Sequence, residues 1–212
     1  MRALVLFCHP SHDSFSRAVL SVVNDRLRAA GAEIRLRDLY AEGYEPTLSA
    51  SEWEAYLDEA RNTRTVRRDV EDLRWCDALI FVYPTWWYGL PALLKGWLDR
   101  ALVPGVAFLM PDARNGDIRP GLTHVARIGV FTTCGASRWL TWSVGAPGRR
   151  TLLRGLRIIC APRCRTAFEA HYSMDSSTPE SRNRHLDRVA AAMDRLTGGP
   201  VERPSEPAGE RA

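Results

Sequence analysis

Two uninterrupted apolar runs, Ala3 to Cys8 and Ala78 to Tyr83, constrain this chain more than any other feature, and Val125 to Phe131, broken only by Arg127, reads as a further strand. A strand with no polar alternation has to be covered on both faces, as in a parallel sheet flanked by helices. Between the runs the period changes. From Phe15 onward Ala18, Val19, Val22, Val23 and Leu27 recur at helical spacing, with Ser14 or Asp13 as N-cap and Gly31 as the stop. Glu33 to Leu39 alternates and predicts a more exposed second strand, and a short helix follows from Ser51. Thr63 to Trp75 reads as a polar helix.

Pro84 is expected to end the strand at Tyr83, and Pro91 sits where a helix can start. Leu90, Leu93, Leu94, Trp97, Leu98, Ala101 and Leu102 give that helix a wide apolar face, stopped by Pro104-Gly105. Met110 to Gly121 is a surface excursion. The last strand is expected from Arg157-Ile158-Ile159-Cys160 toward Phe168. Thr178-Pro179-Glu180 then opens the final helix, with Leu186, Val189, Ala190, Met193 and Leu196 inward. Strands alternating with helices imply a doubly wound α/β fold, a five-stranded parallel sheet with right-handed crossovers and helices on both faces. One domain is expected over residues 1–197, followed by a disordered tail over 198–212.

Composition removes several function classes. Every apolar run falls well short of the roughly 18 to 20 residues that a bilayer span needs. The five apolar residues after Met1-Arg2 are too few for a signal peptide. The five cysteines, odd in number and set in apolar stretches, suit free buried thiols and a cytoplasmic location. Cys160 and Cys164 have no second pair at zinc-site spacing, so no metal is expected. The formal charge is +4 and arginines thicken between Arg138 and Arg165, which suits a solvated face or one or two contacts to a nucleotide phosphate. No aromatic-interleaved basic groove points to nucleic acid. Among 29 basic residues Lys95 is the only lysine.

In a doubly wound sheet the ligand lies beyond the carboxyl ends of the strands. The loop Cys8 to Ser16 offers hydroxyls and N–H groups at a helix N-terminus, suited equally to anion binding and to simple capping. It lacks both GxxxxGK[ST] and GxGxxG, so neither a P-loop ATPase nor a Rossmann dehydrogenase is supported. Trp86-Trp87-Tyr88 follows a buried strand, where rings can stack on a planar cofactor or pack in the core; at the sheet's rim the first is easier to explain. The third loop, Thr132 to Ala136, is small and hydroxylated and could let a flat ring approach the backbone.

His9 with Ser14-Phe15-Ser16-Arg17-Ala18, the run Pro84-Thr85-Trp86-Trp87-Tyr88-Gly89-Leu90-Pro91-Ala92-Leu93-Leu94-Lys95-Gly96-Trp97, and Thr132-Thr133-Cys134-Gly135 together resemble the flavodoxin-2 family of NAD(P)H quinone reductases. The resemblance takes in both the DT-diaphorase-like branch and the ancillary flavoproteins of bacterial potassium efflux systems. It implies a flavodoxin-like fold and a flavin, FAD or FMN with FAD slightly favoured. His9, Ser14, Phe15, Ser16 and Ala18 would surround the flavin phosphates. Pro84, Thr85, Trp86, Trp87 and Tyr88, with Thr132, Thr133, Cys134 and Gly135, would hold the isoalloxazine.

The implied reaction is ping-pong hydride transfer from NAD(P)H through the flavin to a quinone or similar small acceptor, in a homodimer with sites at its interface. Lys95 would be structural, at the buried helix or a dimer contact. Ser137-Arg138-Trp139-Leu140 replaces the Tyr and His of the mammalian branch, which assigns the compensating charge to Arg138, with Tyr88 as second catalytic candidate. Trp86 stands where many relatives carry Gln. Two other readings follow from the resemblance: a flavoprotein subunit docked on a membrane transporter, and a flavodoxin-type electron carrier. The basic charge argues against the carrier.

Overall fold

The computed structural model describes residues 1–113 and 116–198. Seven strands follow in order: β1 (Arg2–Phe7), β2 (Glu33–Asp38), β3 (Ala78–Thr85), β4 (Phe108–Leu109), β5 (Arg119–Pro120), β6 (Arg127–Cys134) and β7 (Arg165–His171). β4 and β5 form a small antiparallel pair within the surface excursion. The other five make one parallel sheet in the order β2-β1-β3-β6-β7. The doubly wound five-stranded architecture is therefore as expected.

Side chains of the central strands divide by the period of two. Leu4, Leu6, Leu79, Phe81, Ile128 and Val130 face one core, beneath α3 (Arg67–Trp75) and α4 (Ala92–Ala101). Ala3, Val5, Phe7, Ile80, Val82 and Phe131 face the other, beneath α1 (Phe15–Ala29) and α7 (Pro179–Thr197). The continuous apolar runs thus reflect burial on both sides. Ser14 caps α1 by accepting from Arg17 N, and Thr178 caps α7 with Pro179 at its first position. α7 buries Val189, Met193 and Leu196 as expected, with Ala192 and His185 in addition.

Four expectations need correction. Strand β3 continues through Pro84 to Thr85, and Pro84 pairs in register with Thr133. Cys8 N–H donates to Val82 O at 3.1 Å, so the Pro84 nitrogen, two residues on, faces the same side, where β1 has already ended. Its missing N–H costs no ladder bond. The helix expected from Thr63 starts only at Arg67, because Asn62 Nδ2 donates to Tyr56 O and Pro104 O, both at 3.0 Å, and holds the preceding segment in turns.

Arg157 to Cys160 is not strand. α5 (Arg138–Ser143) and α6 (Pro147–Arg150) lead into a π turn (Thr151–Gly155) and a 3-10 turn (Leu156–Ile159), on which Ile158 is exposed. The fifth strand begins after the Cys160–Cys164 turn, at Arg165 opposite Arg127. Last, Thr132, Thr133 and Cys134 are the final residues of β6 rather than a loop. Gly198 caps α7 in the left-handed conformation, and the expected disordered tail lies outside the described residues from 199 onward.

Candidate functional site

The sheet order reverses between β1 and β3, so the loops after these strands leave in opposite directions and open a crevice at their carboxyl ends. On one side of it stands the N-terminus of α1. The first-turn N–H groups of Phe15 and Ser16 have no partner among the described residues, while those of Arg17 and Ala18 bond Ser14 O. Free N–H groups on the positive end of a fifteen-residue helix favour an anion there. Ser14 spends its hydroxyl on the cap, and Phe15 turns its ring inward onto His171 and His185, with centroids at 5.5 and 5.8 Å. Ser16 is buried and Ala18 half-buried, so this turn presents backbone rather than side chains.

His9 is half-buried beside it. His9 Nδ1 lies 3.0 Å from Ser11 N and 3.1 Å from Ser11 O, so Ser11 engages this side of the ring. Burial pulls the His9 pKa below its usual value, so the ring is neutral at pH 7. Arg17 donates to Asp38 at 3.0 Å and lies over the Phe7 ring, tying α1 to the end of β2.

The floor of the crevice is the paired ends of β3 and β6, with Tyr83 opposite Thr132, Pro84 opposite Thr133 and Thr85 opposite Cys134. Thr85 Oγ1 and Thr132 Oγ1 share a hydrogen bond of 2.8 Å, and Cys134 Sγ donates to Thr85 Oγ1 at 3.2 Å. Burial raises the Cys134 thiol, which makes it a wall and not a nucleophile. Beyond the floor, Trp86-Trp87-Tyr88-Gly89 forms a tight turn closed by Gly89 N–H donating to Trp86 O at 2.9 Å. Trp87 and Tyr88 both adopt positive φ, 48° and 61°, in a turn whose two central positions normally carry Gly or Asn. Such strain persists only where surroundings enforce it.

The enforcing contact is α6. Gly148 N–H donates to Tyr88 O at 3.3 Å, and a Cβ on Gly148 would sit 3.3 Å from the Gly89 backbone. Thr85, Trp86, Trp87, Tyr88, Gly135 and Ala136 border a cavity of about 440 Å³. Arg138 is exposed at the first position of α5, and its charge reaches the half-buried Tyr172 hydroxyl. The structure thus brings together the His9 loop, the aromatic turn and the Thr132–Gly135 segment at one end of the sheet. Lys95 is set apart: it is exposed and its Nζ pairs with Asp99 at 2.6 Å, so it is not at a buried helix face.

Sequence reading missed the loop after β7. Ser173 N–H donates to Ala136 O at 3.1 Å, and a Cβ on Gly135 would meet Asp175 Oδ2 at 3.1 Å. Tyr172 and Asp175 therefore border the site. The rule that ligands gather at strand carboxyl ends finds them once β7 is placed at 165–171 instead of 157–168.

The set of groups fits a flavin. It combines a dry floor of hydroxyls, a residue without Cβ at Gly135, aromatic rings at the rim, and anion-seeking N–H groups one strand away. Among the described residues no cluster of three metal-ligating side chains occurs, and no helix is long and apolar enough to cross a membrane.

Comparison with known proteins agrees with this geometry. A family model described as a flavodoxin-like fold matches residues 1–196. The chain is 31% identical over 166 residues to an uncharacterized NAD(P)H oxidoreductase of Haemophilus influenzae, covering 76% of this chain and 78% of that one. It is 34% identical over 136 residues to the human ribosyldihydronicotinamide dehydrogenase (quinone), covering 57% of this chain and 59% of the relative. Among solved structures, the NAD(P)H:quinone oxidoreductase from Methanothermobacter marburgensis superposes with a TM-score of 0.75 at 26% identity, covering 92% of this chain and 96% of that one.

Proposed function

Because this chain belongs to the flavodoxin-like fold family, we propose that it is a flavin-dependent oxidoreductase that moves hydride from NAD(P)H to a quinone or a similar small acceptor. The single observation that carries this reading is the crevice itself, where the hydroxyl floor of Thr85 and Thr132 meets the strained aromatic turn beside the free N–H groups of α1. When bound, the flavin supplies a two-electron carrier that reduced nicotinamide loads and a quinone unloads. All other work falls to the protein.

Phe15 and Ser16 N–H groups and the neutral His9 ring hold the phosphate end. Thr132, Thr133, Cys134 and Gly135, together with Pro84 to Tyr88, would hold the isoalloxazine ring. Arg138 would supply the positive charge that compensates the reduced flavin, a preorganised electrostatic role. Tyr88, locked by Gly148, lines the face on which donor and acceptor alternate. FAD is slightly favoured over FMN as the flavin.

Trp87, 95% exposed, and Trp139 and Trp142, 73% and 75% exposed, edge the same end of the sheet. So much apolar surface marks an interface, and a second copy laid there as a homodimer completes the acceptor pocket. The five reduced thiols favour a cytoplasmic location.

The deciding experiment is the visible spectrum of the purified protein with chromatographic identification of the released cofactor. Bound flavin, bleached by NAD(P)H and restored by a quinone, is the expected outcome; a protein that takes up neither FAD nor FMN overturns the reading. In stopped flow, Arg138→Ala slows reduction or reoxidation at least about tenfold, equivalent to ~1.4 kcal/mol. An unchanged rate removes Arg138 from the mechanism.

A further inference from the structure

The loop after β7 holds a carboxylate at the crevice whose charge is unspent. Ser173 enters this loop in the left-handed conformation, with φ 52°, and its N–H donates to Ala136 O at 3.1 Å. Ser176 N–H donates to Ser173 O at 3.2 Å and Ser177 N–H to Met174 O at 3.1 Å, which winds the loop into a tight turn. Arg182 Nη1 donates to Ser177 Oγ at 3.0 Å and fastens that turn to α7. Asp175 is thus fixed by its neighbours' bonds and not by its own. Among the described residues its carboxylate has no hydrogen bond and no ion pair.

Opposite it stands Gly135. A Cβ on Gly135 would lie 3.1 Å from Asp175 Oδ2, closer than side chains ordinarily approach. Gly135 does not adopt positive φ, so glycine is required there for space and not for conformation. Gly135 borders the cavity of about 440 Å³ that Thr85 to Tyr88 also line, and the exposed Asp175 carboxylate stands beside that rim. Between Asp117 and Glu169 the chain carries nine arginines and no carboxylate, so a negative charge here runs against its surroundings. Arg138, three residues beyond Gly135, has no ion pair among the described residues either, so the two charges do not cancel by contact.

Given the flavin proposed above, on which this role rests, we propose that Asp175 sets the reduction potential of the bound ring, holding it low so that electrons pass readily to the acceptor. A hydride carries two electrons and one proton; the nicotinamide that gives it up gains one positive charge, and the ring that takes it gains one negative charge. An ionised carboxylate near the ring raises the energy of that negative charge, whereas Arg138 lowers it. Asp175 therefore weakens binding of the reduced cofactor and leaves binding of the uncharged oxidised ring as it was. The shift in potential equals the ratio of the two affinities, because binding and reduction close a thermodynamic cycle.

The test is an equilibrium reduction titration of the flavin-loaded protein against a reference dye, read in the flavin absorbance. Asp175→Asn keeps the shape and removes the charge. It should shift the reduction equilibrium toward reduced flavin about tenfold, a midpoint ~30 mV higher for a two-electron couple. Oxidised flavin should bind this variant with wild-type affinity, and Asp175→Glu should bring the midpoint back toward wild type. A merely structural role would instead weaken oxidised flavin and leave the midpoint in place. Asp175→Ala supplies a second neutral variant should the asparagine form fail to fold. Flavin bound with a reduction equilibrium within about twofold of wild type overturns the role of Asp175 alone. A wild-type protein that binds no flavin overturns it together with the flavin reading.

Discussion

Two polar clusters flank the sheet, and they differ in whether their hydrogen-bonding capacity is spent. Under α3, Arg37 is 4% exposed and donates to Glu42 at 2.8 Å, to Asp69 at 2.6 Å and to Asp72 at 3.4 Å. Arg35 adds a bond to Asp72 at 2.9 Å, and Trp97 Nε1 donates to Asp69 at 2.7 Å. This cluster is closed: its charges satisfy one another and lock β2, α3 and α4 together. At the carboxyl rim the N–H groups of Phe15 and Ser16 are free, and the buried His171 Nδ1 and His185 Nε2 have no partner among the described residues. Saturation marks a polar group as structural, and open capacity marks it as held ready for a ligand.

Breaking the closed cluster has the largest expected effect. Asp69→Ala strands the buried indole N–H of Trp97 and leaves Arg37 with Glu42 and Asp72 alone, and should cost about 3 kcal/mol in urea unfolding. The folded fraction should still bind flavin with unchanged affinity. A loss below ~1 kcal/mol means that water satisfies Arg37 and that the cluster is not closed.

The rim histidines sharpen the contrast through pH. Burial, with Arg188 and His171 adding to it, pulls the His185 pKa from its usual 6.5 down to about 4. The unfolded chain therefore binds this proton at higher pH than the folded one does. Stability is complete above pH 6.5 and falls as pH drops from 6.5 toward 4, by about 3 kcal/mol over that window. The urea midpoint followed against pH checks the slope, and His185→Phe should flatten it; an equally steep fall in the variant assigns the loss elsewhere.

The smallest effect belongs to the crevice floor. Thr132→Val removes one hydroxyl, but Thr85 Oγ1 keeps its bond from Cys134. Stability should change by less than about 1 kcal/mol while flavin affinity weakens about tenfold, ~1.4 kcal/mol. Calorimetric titration of the flavin-free protein separates the two, and a variant that loses stability without losing affinity would place Thr132 with the structural cluster.

Much of the rim was legible because its parts are local. A cap at Ser14, a triple aromatic after a buried strand and a small hydroxylated segment are each visible within a few residues. The turn's positive φ angles at Trp87 and Tyr88 were not, since they depend on Gly148 pressing from α6, some sixty positions away. Lys95 drew notice only through its rarity, and the structure gives it a surface pair with Asp99. Gly96, inside the same motif, is the residue that packing demands: a Cβ there would lie 2.3 Å from Pro46 O.

The sequence by itself determined the fold class, the order of strand and helix, and the end of the sheet at which a ligand sits. All three follow from hydrophobic period and from the rule that crossovers leave a crevice at a switch in strand order. Tertiary structure alone decided which apolar stretch became the fifth strand and that Asp69 and Asp72 are buried. Periodicity reports how many faces of a segment are covered but not what covers them. Ile158-Ile159 and Phe168 are equally apt for a strand, and only pairing of Arg165 against Arg127 selected the second.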